Sequence, residues 1–181
     1  MNKTLLWFGL AKVGFGVVVG AFGVFLGLRL LSLLLRQKDA DGELAKGNVA
    51  VGILQAASVL SLGLLLQHAV TATFDAMDLL YRGREFVPAM LGRFAVYATL
   101  HVGLSLIIGS LVMALGVSIY GRLTGGVDEL AEVRRGNPAP ALVLACVIVV
   151  MALVVEPGLR AALDGLLPLP VLPRDVLPVT N

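Results

Sequence analysis

Two stretches decide the fold: Asp39–Ala50, DADGELAKGNVA, and Asp128–Ala139, DELAEVRRGNPA. They lie 89 residues apart and share a pattern, Asp-x3-Glu-apolar-x-basic-Gly-Asn-x-Ala. Each stands immediately before a long apolar run and shortly after another. Shifted by the same 89 residues, Leu5–Leu66 lies over Phe94–Val155 without a gap. Apolar sequence matches itself easily, so the informative coincidences are others. Gly14, Gly20 and Gly27 fall on Gly103, Gly109 and Gly116; Asp39 and Glu43 fall on Asp128 and Glu132; Lys46-Gly47-Asn48 falls on Arg135-Gly136-Asn137.

The runs around the motif are membrane-spanning. Apolar residues make up 58% of the 181-residue chain and charged residues 14%, where a soluble domain carries about a quarter charged. Mean hydropathy is +0.93. A bilayer core about 30 Å thick needs roughly 20 helical residues. Residues 10–33, 49–70, 94–120 and 138–155 each meet or approach that. The N-terminal run is too long for a signal-peptide core and lacks a cleavage-like site, so it is read as the first span.

The expected fold is therefore all-α and integral to the membrane: four transmembrane helices forming two parallel tandem repeats of a helical hairpin. Unit 1 covers 1–71 and unit 2 covers 94–156. Two spans per unit make both units enter from one side, related by a pseudo-twofold axis along the membrane normal. The inverted repeats of many transporters need an odd number. Residues 72–93, with Phe74, Met77, Leu80 and Tyr81 at helical spacing among charges, are expected to form a connecting interfacial helix. The Pro-rich tail, 157–181, is expected to hold a short helix over 159–166. The repeated loops carry the denser positive charge, which places them in the cytoplasm and both termini outside.

Helices in lipid associate through small residues. Gly16, Gly20, Gly23 and Gly27 predict a packing seam on the first span, with Gly109 and Gly116 continuing it on the third. On the third span Tyr97, His101 and Ser105 follow at i+4 steps, and Lys12 matches His101 in the first unit. These are the candidate intramembrane polar residues, since ionisable groups in a span are functional candidates; Lys12 is also near enough to a helix end to snorkel. Gln55 and Gln67 are expected to bond between helices.

In the loops, Asn48 and Asn137 stand where an N-cap is wanted, Pro138 suits a first helical position, and Glu43 and Glu132 sit before the positive end of the following helix. That makes the motif a device for entering the membrane. A second reading makes it a docking or ion site in which both loops join on one face, built from Asp39, Glu43, Lys46, Gly47, Asn48, Asp128, Glu132, Arg135, Gly136 and Asn137.

The doubled Glu-x-x-Lys/Arg-Gly-Asn-x-Ala ahead of an apolar helix resembles the family catalogued as domain of unknown function 350. The resemblance covers most of Leu5–Val155, with Pro138 and Pro140 as a local departure in the second copy. It implies a small four-span protein of the bacterial inner membrane with a duplicated two-helix unit, and an association with membrane-stress modules. It implies no activity.

The chemistry is sparse. A single cysteine, Cys146, provides neither an internal disulfide nor a cysteine metal site. A formal charge of +2 does not suggest nucleic acid. His101 and Ser105 lie one turn apart, but no nucleophile elbow or metal motif accompanies them. The expectation is a non-enzymatic scaffold or stress-module component without a cofactor, partnered by the lipid bilayer and by further copies or other membrane proteins. The alternative is a small ion or solute channel or carrier.

Overall fold

The computed structural model describes residues 3–35, 40–81, 87–123 and 129–167. Helices make up most of those residues, and no strand occurs among them. Four long helices, α1 (Lys3–Leu34), α3 (Val49–Tyr81), α4 (Ala89–Leu123) and α6 (Pro138–Asp164), alternate with two short ones inside the repeated loops, α2 (Ala40–Ala45) and α5 (Glu129–Arg134). All four long helices are apolar enough to span a membrane. The four-span reading holds, and each loop is a helical turn rather than a plain connector.

The long helices outrun their expected ends. The connection does not form a separate interfacial helix, because α3 continues to Tyr81. No glycine or proline interrupts residues 64–81, so nothing stops propagation. Phe74 is 5% exposed. Its ring stands edge-on to Phe8, Phe15 and Phe94 at 5.3, 5.8 and 5.5 Å, which ties α1, α3 and α4 together near one end. Edge-to-face rings in this range are the favoured geometry. Likewise α6 runs through Pro157 to Asp164, absorbing the helix expected at 159–166. Proline removes one backbone bond, and Pro157 is exposed near the end of the span. The tail beyond 167 lies outside the described residues.

α3 is the central element. It packs on α1, α4 and α6, and α4 packs also on α6. Its interior face carries Ala50, Leu54, Ala57 and Leu62, which meet Leu144, Ala145 and Ile148 of α6 and Met113 and Val117 of α4 in one apolar cluster. The glycine seam is partly as expected. A Cβ on Gly23 would strike Leu66, one on Gly27 would crowd Leu62 and approach the Ser58 backbone, one on Gly109 would strike Leu62, and one on Gly116 would crowd Ile148. Gly16 is more loosely placed, 4.0 Å from Val70. Gly20 departs: nothing lies within 4 Å and the residue is exposed. The buried stripe of α1 runs through Val19, Gly23, Gly27 and Leu31, and at 100° per residue Gly20 falls at its margin.

α3 and α6 run parallel, meeting near Asn48 at one end and near His68 at the other. The expected pseudo-twofold is not present. His68 Nε2 lies 2.7 Å from Glu156 Oε1. A twofold would bring their repeat equivalents, Pro157 and Gln67, together as well, yet Pro157 is exposed and Gln67 lines a cleft with Asp164. The units share a direction, but α6 offers α3 a different face from the one α3 offers in return. With parallel units, cysteines placed at Ala45 and Arg134 should react with an impermeant maleimide from one side of the membrane, and a cysteine at Leu166 from the other. Labelling of Ala45 and Arg134 from opposite sides would overturn the parallel arrangement.

Candidate functional site

The repeated motif makes the same turn twice. Gly47 has φ 82° and Gly136 φ 93°, the left-handed region open to glycine at no steric cost. Around each, the chain closes a Schellman turn. Gly47 N donates to Leu44 O at 2.9 Å and Asn48 N to Glu43 O at 3.0 Å; Gly136 N donates to Val133 O and Asn137 N to Glu132 O, both at 3.0 Å. These bonds satisfy the last carbonyls of the short helix. The asparagine that finishes one helix then caps the next.

The two caps differ in one bond. Asn48 Oδ1 accepts from Val51 N at 3.2 Å, whereas Asn137 Oδ1 accepts from Ala139 N at 3.1 Å. The position matching Val51 is Pro140, which has no N–H to give. The cap therefore takes the neighbouring donor, and the proline departure leaves the motif's geometry unchanged.

Each glutamate joins the turn to a cation. Glu43 Oε1 accepts from Lys46 at 2.8 Å and Oε2 from Asn48 Nδ2 at 3.5 Å. Glu132 Oε1 accepts from Arg135 at 2.7 Å and Oε2 from Asn137 Nδ2 at 3.3 Å. The hydrogen bond from Lys46, then that from Asn48, holds the Glu43 carboxyl below the usual carboxylate range. Asn137 first and Arg135 second do the same for Glu132. Any stability this adds is present above the ordinary carboxylate pKa and is lost as pH falls through the lowered one. Lys46 and Arg135 are largely exposed, so these pairs add little; the turn and the caps carry the corner.

A side-chain bond joins the two loops. Asn48 Nδ2 donates to Arg134 O at 3.4 Å, and Asn48 lies beside Gly136. A cavity of about 430 Å³ opens between them, lined by Glu43, Lys46, Asn48, Arg134, Arg135 and Gly136 among others. So Glu43, Lys46, Gly47, Asn48, Arg135 and Gly136 all line that cavity, while Glu132 and Asn137 bind within their own loop. Asp39 and Asp128 lie outside the described residues.

The intramembrane candidates separate. His101 and Ser105 are fully buried. The Thr73 hydroxyl donates to Ala69 O at 2.7 Å, so its 3.2 Å contact with His101 Nδ1 is a bond in which the imidazole N–H donates. His101 Nε2 and the Ser105 hydroxyl have no partner among the described residues. Tyr97 is half-buried, its ring 5.8 Å from that of His101. Lys12 is half-buried on α1. Gln55 is buried, whereas Gln67 is exposed.

A second polar region escaped the sequence reading. Beside the His68–Glu156 contact, a cleft of about 360 Å³ is lined by Gln67, His68, Thr71, Asp75, Arg160 and Asp164. The signal was available: Gln67 and Glu156, and Asp75 and Asp164, keep the 89-residue offset, so the repeat continues beyond Val155. Among the described residues no group of three or more His, Cys, Asp or Glu is placed to hold a metal.

Comparison with curated proteins and with solved structures finds no match. A family model, Domain of Unknown Function (DUF350), matches residues 5–103 and again 90–169. The second match extends over the part of α6 that carries Glu156 and Asp164. The doubled match, the doubled corner and the four apolar helices agree, and the chain, a multi-pass membrane protein, belongs to the DUF350 family.

Proposed function

We propose that the protein is a non-enzymatic scaffold of the bacterial inner membrane, a component of a membrane-stress module, that docks other membrane proteins through its joined loops. The observation that carries this reading is the bond from Asn48 to Arg134 O. Capping alone needs nothing between the two corners. Joined, they offer one surface with Lys46, Arg134 and Arg135 beside Glu43 around a shared cavity. The stress-module part rests on the family resemblance.

The test is the double substitution Glu43→Gln, Glu132→Gln. It keeps hydrogen-bond acceptors in the corners and removes both charges. Helicity and extraction should match wild type, while proteins that co-purify with wild type in mild detergent should be lost. Unchanged co-purification would return the motif to a purely structural role.

A second reading, a small ion or solute channel or carrier, draws on the buried His101 Nε2 and Ser105 hydroxyl, which have no partner among the described residues. Flux in reconstituted vesicles that disappears with His101→Leu would favour it over the scaffold.

A further inference from the structure

The contact between the two repeats is one-way, and it leaves a complementary pair of surfaces unused. Three of the inter-repeat contacts trace it along the helices: Asn48 Nδ2 with Arg134 O near the loops, Gly109 against Leu62 and Leu65 in mid-span, and His68 with Glu156 toward the far end. With the repeats exchanged at the 89-residue offset, the same contacts would pair Asn137 with Ala45, Gly20 with Met151 and Val154, and Pro157 with Gln67. Within the chain, Asn137 turns its amide to Glu132. Gly20 has nothing within 4 Å. Val154 is 70% exposed, and Ala45, Pro157 and Gln67 are exposed too.

The helix faces agree. The buried α3 residues Ala50, Leu54, Ala57, Ser61 and Leu65 correspond to Ala139, Val143, Cys146, Val150 and Val154 on α6, all five exposed. In the other direction, buried Ala145 and Ala152 of α6 correspond to exposed Ala56 and Gly63 of α3. Repeat 1 uses one face to receive repeat 2, which binds with another. The remaining face of each repeat is open in part, since Gln55 and Phe74, the equivalents of buried Leu144 and Leu163, are themselves buried.

We propose that a second copy of this chain fills that face, with repeat 2 of one copy docking on repeat 1 of the next, so that Gly20 of one meets Met151 and Val154 of the other. Apolar exposure alone would not argue this, since lipid covers apolar side chains as well as protein does. The argument is that the chain carries both halves of a contact it already makes once. Gly20 stands where Gly109 stands, and Met151 and Val154 stand where Leu62 and Leu65 stand. A heterologous contact that does not close within one chain closes as a ring across copies or grows as an array. This association is separate from the loop-docking reading and does not depend on it.

The experiment uses two differently tagged full-length chains, both carrying Cys146→Ser, one with Gly20→Cys and the other with Val154→Cys, co-expressed and oxidised in the membrane. A disulfide-linked heterodimer should be the main product. Pairing Val18→Cys with Val154→Cys should give background only, because Val18 points away from Gly20 on α1. Native mass spectrometry of the wild type from mild detergent should show multiples of the chain, and Gly20→Trp should return them to monomer with helicity unchanged. Monomeric wild type together with no heterodimer above the Val18 control would overturn the proposal. So would a Gly20–Gly20 homodimer as the main product, which would mean a face-to-face pair instead.

Discussion

Gly109→Leu should destabilise the folded chain by about 1–3 kcal/mol in a detergent or bilayer unfolding assay, the usual cost of overpacking a filled core. Gly20→Leu should leave the fold of the single chain close to wild type. The two glycines occupy the same place in the repeat, so sequence alone gives them the same expected cost. Their surroundings separate them. At Gly109 even a methyl group would collide with the Leu62 side chain, and that of Leu65 lies 3.4 Å away, so a larger side chain must displace both leucines or push α4 from α3. Nothing lies within 4 Å of the corresponding point at Gly20. Gly116→Leu should resemble Gly109→Leu, since Ile148 Cγ1 lies 3.2 Å from where its Cβ would be, with the Ile148 backbone close behind at 3.7 Å. Equal tolerance at 20 and 109 would show that α4 does not rest on α3 as described.

The second large effect is expected at the corners. Gly47→Ala and Gly136→Ala should each cost about 1–2 kcal/mol, the penalty for a side chain in the left-handed region. Asparagine should cost less, since it visits that region with local hydrogen bonding, and valine more, because a β-branched residue is a genuine outlier there. A Cβ would meet nothing within 4 Å at Gly47 and only ordinary contacts with Asn48 at Gly136. Backbone angle, rather than space, should therefore set the order Asn, Ala, Val at both sites, measured as loss of unfolding free energy. An order following side-chain volume alone would mean that crowding decides.

The features legible in the sequence were those that a repeat unit carries within itself. The spans, the capping asparagines, Pro138 at the start of α6 and the turn glycines are local, and both copies show them. Contacts between units were not legible. The offset that aligns Gly20 with Gly109 says nothing about which of them has a neighbour, because that depends on which face of α6 meets α3. The expected twofold assumed equal faces. The separate helix around Phe74 failed for a related reason: charges on a helical pattern suggested a surface, while the ring's place among Phe8, Phe15 and Phe94 is a tertiary fact. The cross-loop bond of Asn48 was hidden in the same way, since the residue's capping role already accounted for its identity.

The length of α3 has a consequence for the protein's profile on the two sides of the bilayer. Its 33 residues span about 50 Å at 1.5 Å per residue, against a hydrocarbon thickness of about 30 Å. Where α3 and α6 begin, the capped corners stop them sharply. At the other end both helices run on past the His68–Glu156 pair and carry Asp75, Asp78, Arg160 and Asp164 on continuous helix. One side of the membrane thus sees a shallow relief of tight corners. The other sees a charged stub of parallel helices, the part of α3 and α6 in excess of what the hydrocarbon core needs.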